Sequence, residues 1–230
     1  MWEIIDTGFA SAEENMRIDS ALLDGLDLRD APILHFYDWE LPSATYGLLV
    51  KPEDFLDVEK VERGGIQLAR RPTGGGITFH LWDFAFSILV PATSPHFSSN
   101  PIQNYAFVHR ALAKVIDRFL GESLCRVVED SADGGRFCMA KATRYDLTIK
   151  GKKVVGAAQR LKRQGFLHQG MISLLPPEPE VLRPFLKGNE PLLQAILEQS
   201  HPLLGSKSDL KGAQKRLKDE IIREFMNLDA

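Results

Sequence analysis

The chain has 230 residues, 44% hydrophobic and 26% charged, with a formal net charge of −3. That balance describes a globular chain long enough to bury a sizeable core, and it leaves no global basic field to recruit nucleic acid. No apolar run approaches the roughly 20 residues that span a bilayer, the start Met1-Trp2-Glu3-Ile4-Ile5-Asp6 lacks the regions of a signal peptide, and two cysteines, Cys125 and Cys138, make no disulfide framework. A reducing, cytoplasmic setting with no membrane partner is expected.

Residues 2–5 read as a short strand that Gly8 breaks. Ser11-Ala12-Glu13-Glu14 is a helix start with an N-cap and early acids, and Met16, Ile18, Ala21 and Leu22 follow at helical spacing. Asn15 and Asp19, four apart, share one face, read as solvated narrowly ahead of a ligand contact. Strand signals follow at 32–37 and 44–50, then an acidic helix over 52–63 ended by Gly64-Gly65, then a strand at 66–69. Residues 84–90 form a second, mostly buried strand. Beyond Pro91 a Ser- and Pro-rich loop containing His96 leads into a strong amphipathic helix over 102–120, on which His109 reads as surface. After a turn at 130–135 come Cys138 and strands at 145–149, 154–159 and 166–175; helices are expected over 180–185, 191–199 and 208–228. No repeat, low-complexity tract or linker divides the chain, so one domain spanning 1–230 is expected. Adjacent strands joined by tight turns imply an α+β fold with a mixed, largely antiparallel sheet flanked by helices, not a doubly wound parallel one.

The chemistry concentrates in Arg-Arg-Pro-Thr-Gly-Gly-Gly-Ile-Thr-Phe-His at 70–80. Gly74, Gly75 and Gly76 let a ligand approach the backbone, and successive N–H groups in such a turn can cradle a carboxylate or phosphate. Arg70 and Arg71 add planar charged donors, Pro72 stiffens the entry, and His80 follows. The plain alternative is a glycine-rich hairpin with solvated arginines; the combination with His80 favours an anion site. A second cluster is Lys152-Lys153 at a hairpin tip before Gly156-Ala157-Ala158, whose small side chains permit close approach. Lys152 reads as the tip charge. Lys153 falls on the alternate phase and is expected to point inward, where its ammonium could hold an acyl or phosphate oxygen and lower the pKa of a nearby thiol.

The 70–80 segment resembles the signature loop of lipoate–protein ligase A and the related octanoyltransferases. Gly-Lys-Lys-Val-Val-Gly-Ala-Ala-Gln-Arg at 151–160 resembles their second motif, and Leu167-His168-Gln169-Gly170 their His-Gly strand, with Gln169 in place of a usual histidine. Ile5-Asp6-Thr7-Gly8 and Asn15-Met16 are similar to the start of the octanoyltransferase branch. The resemblance runs from about residue 5 to residue 175. It implies a biotin/lipoate-ligase catalytic fold and acylation of one lysine on a lipoyl domain of a 2-oxoacid dehydrogenase complex or on glycine-cleavage H protein. By position it implies that Arg70, Arg71, Gly74, Gly75 and Gly76 line the acyl-phosphate or acyl-carbonyl region, that Lys153 is the essential lysine, and that His80, Gly156, Ala157, His168 and Gly170 line the site. No metal site built by the chain itself is expected.

Two mechanisms compete within that family. A ligase uses ATP and Mg2+ to make a lipoyl-adenylate; an octanoyltransferase takes octanoate from acyl carrier protein as a cysteine thioester. Cys138, seven residues before Tyr145, matches the nucleophile position of the cysteine-dependent branch. Gly76 matches the ligases, where the transferase branch tends to carry arginine. The chain after Leu175 lacks the accessory domain common in bacterial ligases, which leaves room for a separate accessory partner. The complete triple-glycine loop tips the expectation narrowly to the ligase. A non-catalytic lipoate- or acyl-binding homologue is the reading from another class.

Overall fold

The computed structural model describes residues 1–128, 146–176, 178–188 and 190–229, the side chains of Ser208 and Asp229 apart. In chain order its elements are β1 (Glu3–Ala10), α1 (Ala12–Asp24), β2 (Ile33–Trp39), β3 (Ser43–Tyr46), α2 (Val58–Arg63), β4 (Gln67–Arg70), β5 (Ile77–His80), β6 (Asp83–Pro91), α3 (Pro101–Leu120), β7 (Arg126–Val127), β8 (Leu147–Ile149), β9 (Lys152–Lys153), β10 (Val155–Lys162), β11 (Gly165–Ser173), α4 (Pro179–Leu182), α5 (Glu190–Gln199) and α6 (Leu210–Met226).

A five-stranded sheet in the order β1-β2-β6-β11-β10 forms the centre. Only the β1–β2 pair in it is parallel. β6 and β11 are buried along their whole length, which is why β6 reads as a near-continuous apolar run rather than an alternation. A smaller sheet, β4-β3-β5, lies beside it, and β7-β8-β9 forms a third ladder. This is the expected α+β fold with antiparallel-rich sheets.

α3 is long because its ends are well defined: the Asn100 side chain accepts from the Ile102 N–H, Pro101 occupies the first turn, and Gly121 closes it in the left-handed region at φ 72°. With α6 it covers one face of the central sheet, burying Val108, Leu112, Val115, Ile116, Leu217, Ile221 and Phe225 against Phe86, Ile88 and Phe166. The opposite face receives α1, through Met16 and Ala12 packed near Tyr37, Ala69 and Ala85. The small sheet is backed by α2, α4 and α5 through Ala44, Val61, Leu182, Leu193 and Ile196. A cleft therefore remains between the two sheets, on the α1 side.

Several sequence expectations are corrected. β1 runs through Gly8, which sits at φ 66° within a register shift between Asp6 and Phe9 instead of ending the strand. The 52–63 helix is broken: a 3-10 turn covers Pro52–Asp54, Leu56 bridges Leu186, and Asp57 starts α2 by accepting from the Lys60 N–H. The 44–50 strand stops at Tyr46, because Gly47 and Leu48 donate to Gly76 and Thr73 of the glycine loop. Pro184 confines the 180–185 helix to α4 and a 3-10 turn. Asn15, Asp19 and His109, read as surface, are fully buried; Asn15 donates to the Asp38 carbonyl oxygen at 2.9 Å, which a helix face read by itself does not reveal.

Candidate active site

The glycine loop lies between β4 and β5 and is held from within. Arg71 is buried, and its guanidinium donates to the carbonyl oxygens of Gly74 and Gly76 at 2.9 Å each, to the Thr45 carbonyl at 3.0 Å and to Thr45 Oγ1 at 2.8 Å. One planar donor fork thus ties both ends of the loop to β3. Arg160 of β10 donates to the Pro72 carbonyl at 2.8 Å and carries the same loop to the central sheet. Arg70, at the end of β4, is exposed. Gly75 sits at φ 85°, which demands glycine; a Cβ on Gly74 would meet nothing within 4 Å, so packing does not demand glycine there. Gly47 presses so close that a Cβ would lie 2.0 Å from the Gly75 oxygen.

Behind the loop, a narrow cavity, partly open to solvent, lies between the sheets. Met16, Tyr37 and Trp39 form one wall, and Thr45, Arg71, Thr78 and His80 a second. Gly156, Ala157, Ala158, Gln169, Gly170 and Met171 of the β10–β11 pair form the third. His80 stacks on Trp39 with ring centroids 4.2 Å apart. Its Nδ1 meets Asp83 at 2.6 Å and its Nε2 meets Thr45 Oγ1 at 2.9 Å. Arg71 already donates to Thr45 Oγ1, so the pattern that satisfies every group has Thr45 donating to Nε2 and His80 donating to Asp83.

A buried polar network closes the floor. Asp19 accepts from Gln169 Nε2 at 2.7 Å and from Ser87 at 2.6 Å, and meets His35 Nδ1 at 2.8 Å. Thr73 donates to Gln169 Oε1 at 2.6 Å. Gln169 thus links the glycine loop to α1 by using both ends of its amide. Beside this network the Tyr37 hydroxyl has its pKa raised well above the ordinary value, first by burial and then by the Asp19 charge.

Lys153 is buried, and its ammonium donates to Asp146 Oδ2 at 2.8 Å; Lys152 is exposed. The pairing follows from strand period. Thr148 faces Lys153 across the β8–β9 ladder, and Asp146 lies two residues before Thr148, on the same side. The Tyr105 hydroxyl is 3.4 Å from the other Asp146 oxygen and 3.1 Å from the Ala157 carbonyl. Ala157 lines the cavity, so two side chains connect Lys153 to its wall.

Of the expected site residues, Arg71, His80, Gly156, Ala157 and Gly170 line the cavity; Arg70, Gly74, Gly75, Gly76 and Lys153 do not, and His168 is turned away from it. Strand alternation turns Gln169 and Met171 into the cleft and His168 to the α3 side, where it packs against Tyr105 and His109 with centroids 5.0 and 5.2 Å away. Burial first, and the His109 charge second, hold its pKa well below the ordinary value. Gly170 lines the cavity and also packs on Phe86, whose ring a Cβ would approach to 2.4 Å. Cys138 and Tyr145 lie outside the described residues. Cys125 is buried, and its thiol is pushed up to about 12 by burial and by Asp117. Among the described residues no group of three His, Cys, Asp or Glu side chains gathers as a metal site, and no helix is long and apolar enough to cross a membrane.

His35, Asp83 and Asp146 escape the sequence reading, Asp19 is read there as surface, and Thr73 is given no role of its own. Asp146 carried a usable signal, a charge before an apolar strand in phase with Lys153 across a short hairpin. Asp83 pairs locally with His80, three residues before it, whereas Asp19, His35 and Thr73 make contacts set by tertiary pairing.

A cleft beside a clamped glycine loop, with a buried lysine linked to its wall, is the candidate site. The chain belongs to the lipoyl protein ligase A/B catalytic domain family, whose family model matches residues 11–195. It is 30% identical over 172 residues to the octanoyltransferase LipM of Carboxydothermus hydrogenoformans, covering 74% of this chain and 64% of the relative. With the octanoyltransferase LipM of Moorella thermoacetica it shares 28% over 239 residues, covering all of this chain and 86% of the relative. Among solved structures, Plasmodium falciparum LipL1 in complex with lipoate aligns with a TM-score of 0.69 at 18% identity, over 99% of this chain and 62% of that one. The bi-partite lipoate protein ligase of Thermoplasma acidophilum aligns with 0.62 at 22%, over 97% and 85%. These two likenesses show the fold.

Proposed function

We propose that the protein is an octanoyltransferase, moving a medium-chain acyl group from a carrier thioester to the acceptor lysine of a lipoyl domain or of glycine-cleavage H protein. The observation that carries transfer over ligation is the naming of the curated relatives as octanoyltransferases at 25–30% identity. On this reading the cavity holds the acyl chain and the exposed backbone of Gly74 and Gly75 faces the carbonyl end.

Of the two cysteines, Cys125 is buried with a raised pKa, which leaves Cys138 as the nucleophile. Its thiolate sulfur attacks the acyl carbonyl. The new C–S bond forms as the bond to the carrier sulfur breaks, and the carrier thiolate takes up a proton. The acceptor amine then attacks the acyl-enzyme. A C–N bond forms, the Cys138 sulfur leaves, and the amine proton returns to the thiolate. Nothing is oxidised or reduced. Lys153, held by Asp146, supplies a fixed positive charge for the carbonyl oxygen as it becomes an oxyanion.

A second reading, an ATP-dependent lipoate ligase, is favoured by one observation: Gly74 is glycine without a packing reason, as close phosphate approach would require. ATP and Mg2+ would then be substrates, carried to the loop together. On either reading all 230 residues act as one catalytic unit in the cytoplasm. The test is intact-mass analysis of a lipoyl domain after incubation with octanoyl-carrier protein without ATP, and separately with lipoate, ATP and Mg2+. Modification in the first mixture supports transfer; modification in the second alone supports ligation.

A further inference from the structure

A second narrow cavity, partly open to solvent, lies next to the first. Phe79, Leu81, Leu175, Leu182 and Ile196 give it an apolar lining, between β5 and the α4–α5 segment. Met171 lines both cavities. Beside Met171 the partition is the His80–Asp83 pair, one residue on each cavity, joined at 2.6 Å.

The surroundings leave Met171 adjustable. Its register partners are Gly156 on β10 and Ala85 on β6, so neither neighbouring strand presents a bulky side chain directly beside it. A thioether with several rotatable bonds fills such a gap without a fixed shape. It is 8% exposed, touching open space rather than sealed in the core. Truncating it would remove a plug between two existing spaces, and the strand backbone on both sides stays paired.

We propose that Met171 sets acyl chain length, ending the chain in the first cavity and closing off the second as a latent extension for longer chains. This rests on the acyl-transfer reading above and adds the residue that limits its substrate. The shift in preference should be large, since one or a few buried methylenes are worth roughly 10–200-fold in specificity.

The experiment combines binding and turnover. Octanoate and dodecanoate are titrated calorimetrically into the wild type, Met171→Ala, Met171→Val and Met171→Leu, and octanoyl- and dodecanoyl-carrier proteins are compared as donors. Relative to wild type, the dodecanoyl-to-octanoyl ratio should rise about tenfold or more in Met171→Ala and in the same direction in Met171→Val, with a matching shift in affinity. Met171→Leu, of similar volume, should keep the wild-type ratio. Adding Ile196→Phe to Met171→Ala should refill the second cavity and lower the ratio again. If Met171→Ala does not fold, Met171→Val decides by the same criterion. A folded truncation with wild-type ratios overturns the proposal while leaving acyl transfer intact. A wild type that neither binds octanoate nor transfers octanoyl overturns the functional reading itself.

Discussion

Lys153 and Asp146 carry opposite charges at 3% and 0% side-chain exposure, so neither charge is stable there without the other. Breaking such a pair from one side costs about 3–5 kcal/mol, because a buried charge is left uncompensated. Asp146→Asn should therefore lower the urea midpoint markedly, and activity with it. Lys153→Ala should cut acyl transfer by on the order of 10²–10³, the loss seen when a preorganised oxyanion donor is removed. Near-normal turnover of a folded Lys153→Ala protein would remove the lysine from the mechanism. His168 gives a pH signature. Its folded pKa lies well below the ordinary histidine value. As pH falls through about 6.5, the unfolded chain binds a proton that folded His168 refuses, and stability falls by up to ~1.4 kcal/mol per pH unit. At higher pH both states are neutral and the effect vanishes. Urea unfolding between pH 8 and 5 should fall more steeply for wild type than for His168→Leu. At this scale the sequence was legible where period alone decides: Lys153 inward and Lys152 outward follow from alternation. The burial of Asp19 and His109 did not, because each polar residue sits on a helix whose second buried face exists only after the sheet has formed.

At the scale of elements, the glycine loop is a packed object. Arg71 gathers its carbonyls, Thr73 reaches Gln169, and Gly47 of the neighbouring turn lies against Gly75. A Cβ at Gly47 would meet a backbone oxygen 2.0 Å away, which no side-chain rotation relieves. Gly47→Ala should destabilise by about 1–3 kcal/mol through overpacking. It should also cost on the order of 10²-fold in transfer, the effect of misplacing a site by about 1 Å. A thermal melt and a transfer assay on the same preparation check both; an unchanged rate would mean that the loop position does not matter. The loop's chemistry was readable from Arg70 to His80, but its support was not. Arg71 looks like an anion ligand in a linear motif, whereas its donors serve two of the loop's own carbonyls and Thr45 of β3. The 52–63 segment looked like one helix because its charges repeat acceptably; the bridge from Leu56 to Leu186, 130 residues away, interrupts it.

At the scale of the molecule, the fold brings distant segments to one cleft: α1, the loop after β4, and the β10–β11 pair. The α+β class was legible from tight turns between strands, and the family from its motifs. Strand order was not, since β1-β2-β6-β11-β10 depends on pairings between segments far apart in the chain. The central claim is that the acyl group passes covalently through Cys138. The most direct measurement is the intact mass of this protein after incubation with octanoyl-carrier protein alone. The expected result is a single octanoyl adduct that hydroxylamine removes and that Cys138→Ser does not form. An unmodified protein, in a preparation that acylates a lipoyl domain only with lipoate, ATP and Mg2+, would contradict it and make the protein a ligase.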